Sequence, residues 1–187
     1  GTSFAQRPLL FHNMDHGKRF ELVPAVEGTG LADVIPGRGA AFGDLFNDGK
    51  IDVVINCIDH TPVLLRNVNA DSHSWVGIKL IGGPKSPRDA VGSTVYLTAG
   101  GIRQRGDVMS GGSFESSNDQ RLHFGLGQAT TVDSVEIRWS SGLVEHVNLP
   151  SVNRFFVIEE GKGLVPSIYD NIGKDTFALP DAHHAAN

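Results

Sequence analysis

"SVEIRW", residues 134–139, puts Val135, Ile137 and Trp139 on one side of an extended chain and Glu136 and Arg138 on the other. Successive side chains of a strand point to opposite faces, so this period of two describes a ribbon with one dry face and one wet face. "VGIKL" (76–80) and "STVYLT" (93–98) read the same way. Turn formers separate such runs: Gly82-Gly83-Pro84, Gly100-Gly101, Gly111-Gly112, Ser141-Gly142 and Gly161-Lys162-Gly163. The apolar segments are short and β-branched, and none keeps a helical period over several turns. The expected fold class is all-β.

Working outward, residues 74–163 hold roughly eight strand-like runs at close spacing, the pattern of a β-sandwich or an open barrel. Upstream the pattern changes. "RPLLFHN" (7–13) is echoed by "TPVLLRN" (61–67), with the prolines at 8 and 62, an offset of 54 residues (62 minus 8). A repeat of that length suits a propeller blade of four short strands. Only about one and a quarter such units fit, so the first seventy residues read as the end of an array whose exposed sheet packs on something else. The expected organisation is a blade-like repeat at 1–70, a sandwich at 71–163 and an irregular tail or docking arm at 164–187, with the boundary inside "NVNADSHS" (67–74). The tail has Pro166, Pro180 and scattered apolar residues (Ile168, Tyr169, Ile172, Phe177, Leu179) without alternation. The chain opens Gly1-Thr2-Ser3 without Met, which reads as a processed piece of a longer protein, with room for an export signal upstream.

Length and charge exclude some classes. At 187 residues the chain suits one medium domain or two small ones. Its 16 basic residues are scattered against 21 acidic ones, a net charge of -5, so no electropositive stripe is offered to nucleic acid. No apolar run approaches the ~18–20 residues that span a bilayer, and membrane insertion is not expected. Cys57, inside "IDVVINCID" (51–59), cannot form an internal disulfide and reads as a small buried hydrophobe.

The densest polar chemistry is "DLFNDGKID" (44–52). Calcium takes six to eight hard oxygen ligands, supplied by a loop with carboxylates at alternating places, a backbone carbonyl and a glycine for the reversal. Asp44, Asp48 and Asp52 occupy the first, fifth and ninth places, Gly49 the sixth, and the carbonyl of Lys50 the seventh. Phe46 stands at the third place, where a ligand would be expected. Such a site would bind weakly, on the order of 10⁻⁴–10⁻³ M. The competing reading is a turn at Asn47-Asp48-Gly49 whose carboxylates bond local amides. "NVNAD" (67–71) reads as a turn.

These stretches carry a resemblance. "GRGAAFGDLFNDGKIDVVINCIDHTPVLLRN" (37–67) resembles an FG-GAP/VCBS repeat, the blade unit of integrin-like propellers. "HSWVGIKLIGGPKSPRDAVGSTVYLTAGG" (73–101), "SGGSFESSNDQRLHFGLGQATTVDSVEIRWSSG" (110–142) and "VNLPSVNRFFVIEEG" (147–161) resemble the ASPIC/UnbV domain that follows such repeats in cartilage acidic protein-like and bacterial secreted proteins. "RLHFGLG" (121–127) followed by "VDSVEIRWSSG" (132–142) is the most specific part. The resemblance implies an extracellular or periplasmic setting, an all-β fold, calcium in the blade loop and no established enzymatic activity.

Other constellations read as non-catalytic. Eight histidines give no HxxxH pair on a helix and no Cys/His zinc spacing. There is no GxSxG elbow, and "SGGS" (110–113) reads as a loop. Asp107, Glu115 and Asp119 read as solvated acids rather than a glycosidase pair. "ESSNDQRLH" (115–123), with Glu115, Asn118, Asp119, Arg121 and His123, is the expected recognition surface, since inter-strand loops carry function on a rigid scaffold. Arg121 has a structural alternative, pairing with Asp119 or Asp89. The expected function is a non-catalytic, secreted, calcium-binding β module for extracellular adhesion or homo-assembly. It would meet a protein partner or a second copy through its tail and an open sheet edge. A carbohydrate-binding module, with glycans as partners, is the alternative, and an enzyme stands third.

Overall fold

The computed structural model describes residues 4–171. The chain is all-β. Its strands are β1 (Phe11–Met14), β2 (Arg19–Leu22), β3 (Gly37–Gly43), β4 (Asp52–Cys57), β5 (Val63–Leu65), β6 (Ser74–Ile81), β7 (Thr94–Ala99), β8 (Ile102–Asp107), β9 (Leu122–Gly127), β10 (Ser134–Arg138), β11 (Val144–Val147), β12 (Arg154–Glu159) and β13 (Gly163–Val165). Short 3-10 turns lie at Asp15–Gly17 and Ile168–Asn171.

Strands β6 to β13 form two four-stranded sheets, ordered β11-β10-β7-β8 and β13-β12-β6-β9. They do not close into a barrel. The alternation seen in the sequence fixes their inner faces: Val76, Ile78, Leu80, Phe124, Phe156 and Ile158 of one sheet meet Val95, Leu97, Val135 and Ile137 of the other. All ten are buried. Each such side chain removed from water contributes about 1.5–3 kcal/mol, which makes this sandwich the main stabilising element. Glu136 and Arg138 lie on the wet face as read, where Arg138 Nε donates to Glu136 at 2.7 Å and Arg103 covers the Tyr96 ring at 4.2 Å. β6 and β12 are parallel neighbours, so the chain crosses to the second sheet and returns between these two strands.

The upstream part is built differently from a four-stranded blade. β3, β4 and β5 make a three-stranded antiparallel sheet, while β1 and β2 form a separate hairpin tied to it by reciprocal backbone bonds between Gln6 and Ile35, both 3.0 Å. The sheet has a small core of Ile35, Ile55 and Cys57 with Ala40, Val53, Val63 and Leu65 against it. Cys57 is buried there as a free thiol. The hairpin has no core beneath it: Leu9 and Phe20 are 69% and 60% exposed, and Phe11 and Leu22 face water on the same side.

Of the segment read as a tail, Leu164 and Val165 belong to β13, paired with Ile158 and Val157. They extend the sandwich two residues past its expected end. Residues 172–187 lie outside the described residues. Among the described residues no helix is long and apolar enough to cross a membrane.

Candidate functional site

The loop joining β3 to β4 wraps around its own carboxylates. Asp44 is 2% exposed, and its Oδ1 and Oδ2 accept the amides of Asp48 (3.0 Å) and Gly49 (2.7 Å). Asp52, also 2% exposed, accepts the amides of Leu45 (3.2 Å) and Asn67 (2.9 Å), which pins the loop to the chain leaving β5. Asp48 Oδ1 accepts the Lys50 amide at 3.1 Å. Asn47 (φ 53°) and Gly49 (φ 86°) take the left-handed conformations that let five consecutive residues curl round one side chain.

Phe46, the residue that breaks the ligand pattern, has its own work. The Arg66 guanidinium sits 4.0 Å above its ring, and Arg66 Nη2 lies 3.9 Å from Asp48 Oδ2. A cation thus stands beside the loop where an additional oxygen ligand was expected. Burial raises the Asp44 carboxyl above its ordinary pKa; the amides of Gly49 and Asp48 pull it down, the Asp48 charge pushes it up again, and Arg121 lowers it.

"NVNAD" folds as read, into consecutive side-chain-capped turns: Asn67 Oδ1 accepts the Asn69 amide (3.1 Å) and Asn69 Oδ1 the Asp71 amide (3.2 Å). Among the described residues no group of three or more His, Cys, Asp or Glu side chains converges as a metal set.

The expected metal loop and the expected recognition surface turn out to face each other. Arg121 donates to Asp119 Oδ2 from Nε (2.6 Å), to Asn47 Oδ1 from Nη1 (2.5 Å) and to the Asp44 carbonyl from Nη2 (2.6 Å), and its ion pair with Asp119 brings Nη2 within 2.6 Å of Oδ2. His123 Nε2 lies 2.8 Å from the Gly49 carbonyl. Asn118 Oδ1 accepts the Phe42 amide at 3.0 Å, and the Asp119 amide donates to the Phe42 carbonyl at 2.9 Å, capping the free edge of β3. Glu115 is exposed, and its carbonyl lies against Gly39. Four of the five residues read as a recognition surface therefore spend their polar groups inside the molecule. Arg121 pairs with Asp119, not with Asp89.

The sequence reading missed the residues beneath this seam. Trp75 stacks on His123 with centroids 5.6 Å apart, Phe155 meets Trp75 edge-on at 5.1 Å, and Arg121 covers the rings of Phe155 (4.4 Å) and Tyr169 (5.1 Å). Gly77 makes room for Phe155, whose ring would stand 2.1 Å from any Cβ there. These are outward positions of β6 and β12, polar in an ordinary sandwich. The signal was present in "FFVIEE" (155–160), whose unbroken apolar start marks a strand covered on both faces. Trp139 is buried in the core.

The arrangement holds the Asp44 loop between the three-stranded sheet and the sandwich. No curated protein matches this chain. Residues 83–165, from the turn after β6 to the end of β13, match the family model described as ASPIC and UnbV, so the greater part of the sandwich is similar to that family.

Proposed function

We propose that this chain is a non-catalytic β module for extracellular or periplasmic assembly or adhesion, in which the sandwich is a rigid base and the upstream hairpin meets a protein partner or a second copy. The observation that carries this reading is the hairpin itself. An isolated two-stranded ribbon is marginal in water, and contiguous apolar surface on a soluble protein marks an interaction site. Leu9, Phe11, Phe20 and Leu22 supply such a surface on one face of β1–β2. β5, a short outer strand of the three-stranded sheet, adds an unpaired edge among the described residues. The secreted setting rests on the resemblance of 37–67 to an FG-GAP/VCBS repeat and of the sandwich to the domain found in cartilage acidic protein-like proteins.

Calcium in the Asp44 loop belongs to the same reading. Among the described residues the Asp44, Asp48 and Asp52 carboxylates do not converge, so binding would require them to turn toward a common point with the Lys50 carbonyl, each oxygen using the lone pair left beside the amide it accepts. Bound there, it would neutralise buried like charges and stiffen the joint. A glycan-binding role is less well supported, because Trp139 is in the core and Trp75 is stacked within the seam.

Sedimentation of the wild-type chain and of Phe11→Ser/Phe20→Ser over a concentration series tests the assembly reading. Self-association, or capture of a defined partner, that the double variant loses supports it. A monomer whose solubility and partner binding are indifferent to the two serines removes it.

A further inference from the structure

The outer face of the β13-β12-β6-β9 sheet carries apolar side chains at Trp75, Ile81, Phe155 and Val157, and the Asp44 loop covers only the part around Trp75 and Phe155. The other part borders a cleft of about 540 Å³. Ile81 and Val157 form its floor, and Val165, Ile168 and Tyr169 wall one side. Lys79 and Arg88 open into it. Inward-pointing Ile78 and Leu80 bracket Lys79 on β6, so strand alternation directs Lys79 outward onto this floor.

The charge of the cleft is opposite to that of the chain. Lys79 Nζ donates only to the neutral Gln120 Oε1, at 3.3 Å, and neither it nor Arg88 has a carboxylate partner among the described residues. Asp89, on the rim, accepts the Val91 amide at 3.3 Å. Two cations against one acid leave a lining of net charge +1 (2 minus 1) in a chain of net charge -5. Elsewhere on the sandwich arginines are paired: Arg103 and Arg138 with Glu136, Arg105 with Asp107, Arg121 with Asp119.

A concave, mostly apolar space of this size with a few convergent polar groups is the form small-molecule sites take. We propose that the cleft binds a small anionic amphiphile, a carboxylate carrying an aliphatic or aromatic body. The body lies on Ile81, Val157 and Val165, and the head meets Arg88 and Lys79 through charge-assisted hydrogen bonds.

The test uses the full chain and decanoate below its micelle concentration, followed by amide chemical shifts and calorimetry. The expected result is saturable binding with shifts centred on Ile81, Val157, Val165 and Tyr169. In Lys79→Ala/Arg88→Ala, whose thermal midpoint is checked against wild type, affinity falls at least about tenfold, the value of one charge-assisted bond. Decylammonium, of equal length and opposite charge, binds at least as weakly as decanoate binds the double variant. The proposal is overturned if decanoate produces no saturable shifts or if they centre on the Phe11–Phe20 hairpin. It is equally overturned if decylammonium binds as well as decanoate, or if the double variant keeps wild-type affinity.

Discussion

Replacing Gly49 with alanine strikes the point where the loop rests on the sandwich. Two costs add. Gly49 has φ +86°, where an L-residue is disfavoured by about 1–2 kcal/mol. The new Cβ would also stand 2.1 Å from Trp75 Nε1, so the loop must lift or the indole must turn, an overpacking cost of about 1–3 kcal/mol. The sum is about 2–5 kcal/mol, or a melting midpoint lower by roughly 4–20 °C for a chain of this size. Gly142 supplies the control: its φ is +93° and nothing lies within 4 Å of a Cβ there. Gly142→Ala carries the backbone cost alone, a drop of roughly 2–8 °C. Scanning calorimetry measures both, and emission from Trp75 should shift to the red in Gly49→Ala only. Equal losses in the two variants, with unchanged emission, would refute the contact between loop and indole.

Arg121→Lys keeps the charge and discards the fork; with a side chain 13% exposed and bonded to Asp119, Asn47 and the Asp44 carbonyl, it should cost about 2–4 kcal/mol in urea unfolding, and a loss under about 0.5 kcal/mol would contradict the seam. Asp107 is held below its ordinary pKa by Arg105 and Thr94; for Glu160, burial pushes upward but bonds from Ser141 and the Gly83 amide outweigh it. Lowered folded pKa values give stability that is present above the unfolded values of 3.8 and 4.5 and lost as pH falls through the folded ones, so urea midpoints should drop below about pH 4.5. Asp44 works the other way, its raised pKa costing stability as pH rises through it, and Asp44→Asn should steepen the acid loss if the variant folds. With a dissociation constant of about 1 mM, calcium at about 10 mM stabilises the chain by about 1.4 kcal/mol and raises the midpoint by roughly 3–6 °C; no shift in EDTA-stripped protein on re-addition speaks against the ion.

The sandwich was legible because its strands alternate cleanly. Val135 and Ile137 inside, Glu136 and Arg138 outside, is a one-dimensional pattern that needs no partner to be read. Strand count and the register-setting glycine turns followed from the same pattern. What stayed hidden was long-range. Arg121 and Asp44 are 77 residues apart, and nothing local in "NDQRL" says that its arginine will reach into another sheet. A polar loop looks identical from sequence whether water or a neighbouring loop satisfies it. Phe46 looked like a defect in a ligand set, because its partner Arg66 lies on the far side of β4 and β5. The three-stranded sheet with a separate hairpin was likewise beyond a repeat echo, since the echoed stretches 7–13 and 61–67 feed different sheets, β1 beside β2 and β5 beside β4.

The most direct test of this account is backbone amide relaxation in solution. If Arg121, His123 and Trp75 bind the Asp44 loop as the geometry requires, β3 to β5 and β6 to β13 tumble as one body, and a single rotational correlation time fits both sets of amides. Two distinct correlation times, with the three-stranded sheet reorienting faster than the sandwich, would contradict the seam.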